Sequence, residues 1–158
     1  MTCVFCKILA DQLPASRVHE DDSCLALMDI HPLGRGHVLV IPKWHAVQLT
    51  ELRPEESRHL FTIGNRILHA QRSLGWGVQG SHILLNDGPA ANQLVPHVHL
   101  HIIPREPRDT LRTLGKLALH LSGLIGPAPS MTAYEKSIQF RTWPRPSVPR
   151  HAGLCSAP

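Results

Sequence analysis

Short segments in which apolar residues alternate with polar ones, or form brief apolar runs, recur along the first two thirds of the chain. A period of two is typical of a β-strand, because successive side chains point to opposite faces of the sheet. Turn-forming residues separate the segments, as Pro32, Gly34 and Gly36 do before the third. The pattern predicts five strands, over residues 16–20, 24–29, 37–41, 81–86 and 96–103.

One long helix is predicted between the third and fourth strands, besides a short helical turn at residues 7–10. Pro54 fits the first turn of a helix, and the two acidic residues after it suit the positive end of the helix dipole. Strands in mostly antiparallel succession around one major helix predict an α+β domain. Apolar residues recur at helical spacing up to Gly75, at Leu60, Ile63, Ile67 and Leu74.

The chain changes character after Arg105. Leucines at helical spacing predict an amphipathic helix over residues 109–124, which the Gly-Pro pair at residues 126–127 would end. Beyond it, prolines and arginines leave too little patterned apolar content for a core. We therefore expect a domain at residues 1–105, a helical extension at 106–126 and an irregular tail at 127–158.

The composition is typical of one globular domain, with 158 residues, 42% of them hydrophobic and 18% charged. No apolar run approaches the roughly 20 residues of a transmembrane helix, and no secretory signal is visible. We therefore expect a cytoplasmic protein without a membrane partner. The formal net charge of +4 arises entirely after Arg105, where seven basic residues accompany three acidic ones. This distribution favours a solvated basic tail over a surface that binds nucleic acid.

Three histidines, His97, His99 and His101, stand at alternate positions of the fifth predicted strand. The three imidazoles would line one face of that strand. Imidazole is a nucleophile, a proton carrier near neutral pH and a metal ligand. The row therefore favours phosphate chemistry or metal binding over a purely structural cluster. The apolar residues interleaved with the histidines would face the core, and these are Val98, Leu100 and Ile102.

A Cys-x-x-Cys pair, Cys3 and Cys6, lies close to the N-terminus. In a reducing compartment a disulfide framework is not expected. A single pair at this spacing is compatible with a metal site, a redox centre or two packed thiols, and the spacing does not distinguish among these three alternatives. Cys24 lies within a predicted strand and is expected to be a small buried hydrophobic residue.

The segment His97-Val98-His99-Leu100-His101-Ile102-Ile103 matches the motif His-φ-His-φ-His-φ-φ, in which φ is apolar. It resembles the histidine-triad (HIT) family of nucleotide hydrolases and transferases, and is nearest to bacterial relatives of the Hint and Fhit branches. The resemblance implies a HIT-like α+β fold, with a five-stranded antiparallel sheet and one major helix, and a homodimer. Within residues 3–105 it also covers Phe5-Cys6-Lys7-Ile8, Asp29-Ile30-His31-Pro32, residues 36–45, Asn86-Asp87-Gly88 and Ile103-Pro104-Arg105.

The resemblance implies attack on the α-phosphate of an AMP-like purine nucleotide. By position, His99 would be the nucleophile that forms a covalent nucleotidyl-histidine, and His101 would contact phosphate oxygens. His37 matches a catalytic-site position in the neighbouring Gly-His-φ-φ-φ-Pro strand. Phosphoramidates, acyl adenylates and dinucleoside polyphosphates are the substrate types that the family suggests.

Four further positions match the family's substrate site. Asn86 and Gln93 match phosphate-site amides, whose N–H groups can donate to a developing oxyanion. Asp29 matches a carboxylate that binds the ribose hydroxyls, with Ile30 against the base. Leu94 departs from the pattern, because eukaryotic Hint and Fhit proteins carry serine or threonine there, near the leaving group.

The resemblance also implies a metal site. Bacterial family members complete the cysteine pair with two histidines, which match His45 and His97. Cys3, Cys6, His45 and His97 would hold a structural Zn²⁺, because four protein ligands leave no open position. A rival hypothesis places all three triad histidines on one catalytic zinc, which leaves the cysteines and His45 without a role.

A nucleotide-binding sensor or interaction protein with little turnover is the main alternative to an enzyme. Leu94 and the Pro- and Arg-rich tail favour it, and the tail is a candidate docking segment for a partner or nucleic acid. Tight AMP binding without a nucleotidyl-histidine intermediate would identify such a sensor.

Overall fold

The structure, a computed structural model, describes residues 3–121. A five-stranded antiparallel sheet organises them, which confirms the predicted sheet. Its strands are β1 (Arg17–Glu20), β2 (Cys24–Met28), β3 (Val38–Pro42), β4 (Ser81–Leu85) and β5 (Leu100–Pro104). Their spatial order in the sheet is β1-β2-β3-β5-β4.

The long helix α2 (Pro54–Ser73) confirms the predicted major helix. Its first turn is capped by Glu56, whose side chain accepts a hydrogen bond from the Arg53 amide at 2.9 Å. The helix ends before Leu74, which is 47% exposed, so the expected place of Leu74 in the apolar stripe is wrong. The short N-terminal helix α1 spans Val4–Leu9, and the segments Leu49–Glu51 and Pro89–Ala91 are single 3₁₀ turns.

The centre of the sheet is covered on both faces. Leu60, Ile63 and Ile67 of α2 pack with alternate residues of β2, β3 and β5 on one face. Phe5 and Ile8 of α1 pack on the other face. Because both faces are covered, every residue of β2 and β3 is buried. These two strands form the rigid centre against which the site is built.

The strand that carries the histidines begins at Leu100, four residues later than predicted. Leu100 is the first residue of this segment that pairs with a neighbouring strand, with Val40 of β3 on one side and Leu85 of β4 on the other. Among the described residues, no strand pairs with the residues before it. The Val98 amide instead donates to the Ala46 carbonyl, at 2.7 Å. The expected alternation persists, because Val98, Leu100 and Ile102 all lie in the core beneath α2.

The C-terminal helix α3 spans Thr110–Leu121, so the predicted extension contains a helix. Its first leucines do not pack as a stripe, since Leu111 is 84% and Leu114 is 55% exposed. Lys116 donates to the Pro32 carbonyl at 3.0 Å, which joins α3 to the loop between β2 and β3. The tail predicted at residues 127–158 lies outside the described residues.

Candidate active site and metal centre

The centre of the site is a contact between two histidines on neighbouring strands. His37 immediately precedes β3, and His101 is the second residue of β5. His37 Nε2 lies 2.9 Å from His101 Nδ1, with the ring centroids 5.2 Å apart. The Leu33 amide donates to His37 Nδ1 at 3.3 Å. A neutral His37 therefore donates from Nε2 to His101, which leaves the proton of His101 on its own Nε2.

The ring of His99 is held by a backbone carbonyl two residues earlier in the chain. Its ring is 6% exposed, and Nδ1 lies 2.7 Å from the His97 carbonyl oxygen. A carbonyl only accepts, so Nδ1 carries the proton and Nε2 has a free lone pair. Burial lowers the pKa of His99 below its ordinary value, which favours the neutral ring. The His99 and His101 rings are 4.8 Å apart. This arrangement can present a nucleophile and a donor side by side.

Asp29 lies beside the two histidines. One carboxylate oxygen accepts from the His31 amide at 2.7 Å, which caps the turn after β2. The other oxygen is 3.4 Å from His37 Nδ1 and 4.0 Å from His101 Nδ1. The carboxylate can therefore stabilise a positive charge that appears on either ring. Ile30, the next residue, is 56% exposed and so is open to solvent for a contact with a ligand.

Four metal-ligand side chains converge at the other end of the histidine row. Cys6 Sγ lies 3.3 Å from His45 Nδ1 and 3.8 Å from His97 Nδ1, and Cys3 Sγ lies 3.5 Å from His97 Nδ1. The two Nδ1 atoms are 3.3 Å apart. Zinc bonds of ~2.3 Å to sulfur and ~2.0–2.1 Å to nitrogen in a tetrahedron give ligand separations of about 3.3–3.8 Å. The four side chains therefore fit a tetrahedral zinc ion.

The second nitrogen of His97 supports this fit. Its Nε2 lies 2.9 Å from the Pro42 carbonyl oxygen, so Nε2 carries the proton and Nδ1 offers a lone pair to the cluster. Burial lowers the pKa of His97 to about 4, which keeps the ring neutral as a ligand. Both His97 nitrogens are thus engaged away from His99 and His101. The rival hypothesis of one catalytic zinc on all three triad histidines does not fit this geometry.

The two predicted phosphate-site amides lie in the loop between β4 and β5. Gln93 accepts from the Gly88 amide at 2.8 Å and donates to the Val47 carbonyl at 2.6 Å. Asn86 donates to the Asn92 carbonyl at 3.4 Å. Both side chains therefore brace the loop, and each amide nitrogen has a second N–H with which to donate. Leu94 is 63% exposed on the same loop.

Three groups at the site had no role in the sequence prediction. The Phe5 ring contacts the rings of both His97 and His99, at 5.7 and 5.4 Å between centroids. The Pro42 carbonyl and the Leu33 amide orient His97 and His37. An aromatic residue inside the Cys-x-x-Cys pair was the only available signal for Phe5, and backbone groups leave no signal in side-chain patterns.

Comparison with known proteins agrees with this geometry. The HIT domain profile matches residues 10–108. An uncharacterized HIT-like protein of Mycobacterium tuberculosis is 48% identical over 111 residues, which is 70% of this chain and 76% of the relative. The adenosine 5′-monophosphoramidase of Schizosaccharomyces pombe is 38% identical over 105 residues, which is 66% of this chain and 75% of that enzyme.

A solved structure extends the likeness to three dimensions. The Zn-bound histidine triad family protein of Mycobacterium smegmatis superposes with a TM-score of 0.66 at 40% identity, over 78% of this chain and 98% of that one. Within residues 3–121, no helix has both the length and the apolar character needed to span a bilayer. The profile covers more than half of the chain and includes all three alternating histidines. On this evidence, the chain belongs to the HIT family.

Proposed function

We propose that this protein is a nucleotide hydrolase or nucleotidyltransferase that acts at the α-phosphate of an AMP-like purine nucleotide through a nucleotidyl-His99 intermediate. The observation that carries the proposal is the bond from His99 Nδ1 to the His97 carbonyl, because it leaves Nε2 free to attack. Family membership and a relative named adenosine 5′-monophosphoramidase support this reaction class.

In the proposed first step, His99 Nε2 forms a bond to the α-phosphorus while the bond from phosphorus to the leaving group breaks, and a leaving nitrogen takes up a proton from solvent. His101 donates a hydrogen bond from Nε2 to a phosphate oxygen and so offsets the charge that develops there. The hydrogen bond from His37 to His101 Nδ1 holds His101 in that protonation state. In the second step, water attacks the phosphorus and releases a proton to solvent, while the bond from phosphorus to Nε2 breaks and His99 leaves as a neutral imidazole.

The substrate site is proposed around these groups. Asp29 binds the ribose hydroxyls and Ile30 packs against the base, while Asn86 and Gln93 donate to phosphate oxygens through their second N–H. Phosphoramidates, acyl adenylates and dinucleoside polyphosphates all offer an α-phosphate with a suitable leaving group. The exposed Leu94 supplies no side-chain donor to that group, so all three substrate types stay in the proposal.

We further propose that Cys3, Cys6, His45 and His97 hold a structural Zn²⁺. The match between their separations and a tetrahedral site supports this, as does the Zn-bound relative from M. smegmatis. The bound ion would tie the N-terminus to the backbone that orients His99. Thiolate ligands require reduced cysteines, which is consistent with the cytoplasmic location that we propose.

Substituting Cys6→Ser should remove one zinc ion per chain, as measured by elemental analysis.

The enzymatic proposal is tested by hydrolysis of an adenosine phosphoramidate. We expect His99→Ala to lower kcat by about 1,000-fold or more, as is typical when a nucleophile is removed. Calorimetry should show that AMP binding is retained. His69→Ala, a change on the exposed face of α2, is the matched control. Full activity of His99→Ala would refute the proposal, whereas tight AMP binding by a wild type without turnover would identify a nucleotide sensor.

A further inference from the structure

A second group of metal-ligand side chains lies outside the active site and the cysteine-histidine centre. It joins Asp21 in the turn between β1 and β2, Cys24 at the start of β2, and His59 on α2. One ligand atom from each residue lies within 4.8 Å of the other two. From this convergence we propose a second zinc-binding site formed by Asp21, Cys24 and His59.

The carboxylate of Asp21 is already oriented for this role. Its Oδ1 accepts from the amides of Ser23 and Cys24, at 2.9 and 2.8 Å, which fixes the side chain in the turn. Its Oδ2 therefore points away from the turn. It lies 2.8 Å from His59 Nε2 and 3.4 Å from His19 Nε2. Two imidazoles from different elements thus lie close to one carboxylate oxygen.

Cys24, the buried residue of the group, supplies the third ligand. Its side chain is 1% exposed, and burial is the main cause that raises the pKa of its thiol to about 12. The thiol is therefore protonated in the metal-free protein, and a bound cation must displace that proton. A thiolate, an imidazole and a carboxylate together are the ligand types that Zn²⁺ accepts.

The surroundings allow an ion to enter. The side chains of Asp21 and His59 are 25% and 40% exposed, so solvent reaches the site at these two residues. Three protein ligands leave a fourth position for water. A metal here would join the β1–β2 turn to α2 across 38 residues of sequence, and none of its three ligands belongs to the histidine row. The second site would therefore stabilise the fold rather than take part in the reaction.

The test is the zinc content of the full chain after chelation and reloading. The protein is stripped, equilibrated with Zn²⁺, desalted and analysed for metal per chain. We expect two zinc ions in the wild type and one in His59→Gln. His69→Gln, an equivalent change at an exposed position of the same helix, should retain two. His59 is only partly buried, so the variant should fold, and circular dichroism checks this.

A second arm separates this site from the cysteine-histidine centre. The double variant Cys3→Ser and Cys6→Ser should still bind one Co²⁺ with a sulfur-to-metal absorption band, and adding Cys24→Ser should remove that band. If the wild type binds one ion that the double variant loses and His59→Gln keeps, the second site does not exist. If the double variant keeps the full zinc content and His59→Gln loses an ion, the second site stands and the zinc centre proposed above fails.

Discussion

At the scale of single residues, the site depends on which ring nitrogen carries the proton. Backbone carbonyls accept the N–H of His97 and of His99, so each ring keeps a lone pair on its other nitrogen, for the zinc ion and for the substrate that we propose. His101 receives a hydrogen bond from His37 and becomes a donor. Three identical side chains in one short segment are thus given three different roles by their hydrogen-bond partners.

The pH dependence of activity follows from the environment of His99. Attack requires the neutral ring, and burial lowers the pKa of His99 below its ordinary value of 6.5. The neutral form therefore persists to lower pH, and the acid limb of kcat/KM should lie below pH 6.5. The measurement is a kcat/KM profile with zinc content checked at each pH. An acid limb at or above pH 6.5, with the metal still bound, would show that His99 is not the titrating nucleophile in this environment.

Side-chain spacing was sufficient to predict the converging residues but not their orientation. The alternating pattern gave the burial of Val98, Leu100 and Ile102 correctly, and family likeness grouped Cys3 and Cys6 with two distant histidines. The backbone partners of the histidines could not be predicted, because they depend on tertiary contacts of Pro42 and Leu33. The partner of His59 was missed for the same reason, since Asp21 is 38 residues away in sequence.

At the scale of elements, the position of β5 is set by close packing beneath α2. Gly64 of α2 allows this approach, because a Cβ there would lie 2.8 Å from Leu100 Cδ2 and 3.3 Å from Ile102 Cδ1. The same strand carries His101, so the distance between α2 and β5 affects the site directly. The ends of the helices and strands were harder to predict than their central residues. The start of β5, for example, depends on where the neighbouring strands can pair with it.

We therefore expect Gly64→Val to lower the free energy of unfolding by about 1–3 kcal/mol, because the added methyl groups overpack the helix–strand contact. Hydrolysis should slow as well, because β5 shifts. Gly115→Val in α3 is the matched control, since a Cβ at Gly115 would have no atom of residues 3–121 within 4 Å beyond its own stretch of helix. It should change stability by less than about 0.5 kcal/mol. Urea denaturation of both variants measures the difference. Equal stability of the two would contradict the packing argument.

At the scale of the whole molecule, β4 forms one edge of the sheet, and no strand of residues 3–121 pairs with its outer side. It is the last strand in the order, and Ile83 and Leu84 on it are 47% and 43% exposed. An exposed apolar edge strand is a site of association unless it is covered. We propose that a second copy covers β4, which agrees with the homodimer that the family resemblance implies.

The dimer is tested by Ile83→Glu, which places a charge in the proposed interface. Light scattering after gel filtration should show a dimer for the wild type and a monomer for this variant. Leu13→Glu, at a 38% exposed leucine before β1 on the opposite side of the sheet, should remain dimeric. A wild-type monomer, or a dimer that survives Ile83→Glu unchanged, would argue against pairing through β4.

The covalent role of His99 is the central claim, and intact-mass spectrometry tests it most directly. Wild-type protein and His99→Ala are mixed with an adenosine phosphoramidate and quenched rapidly during turnover. We expect an AMP-sized mass increase on the wild type alone, which peptide mapping should place on His99. Turnover without any adduct on the wild type, or an adduct that persists in His99→Ala, would contradict the account.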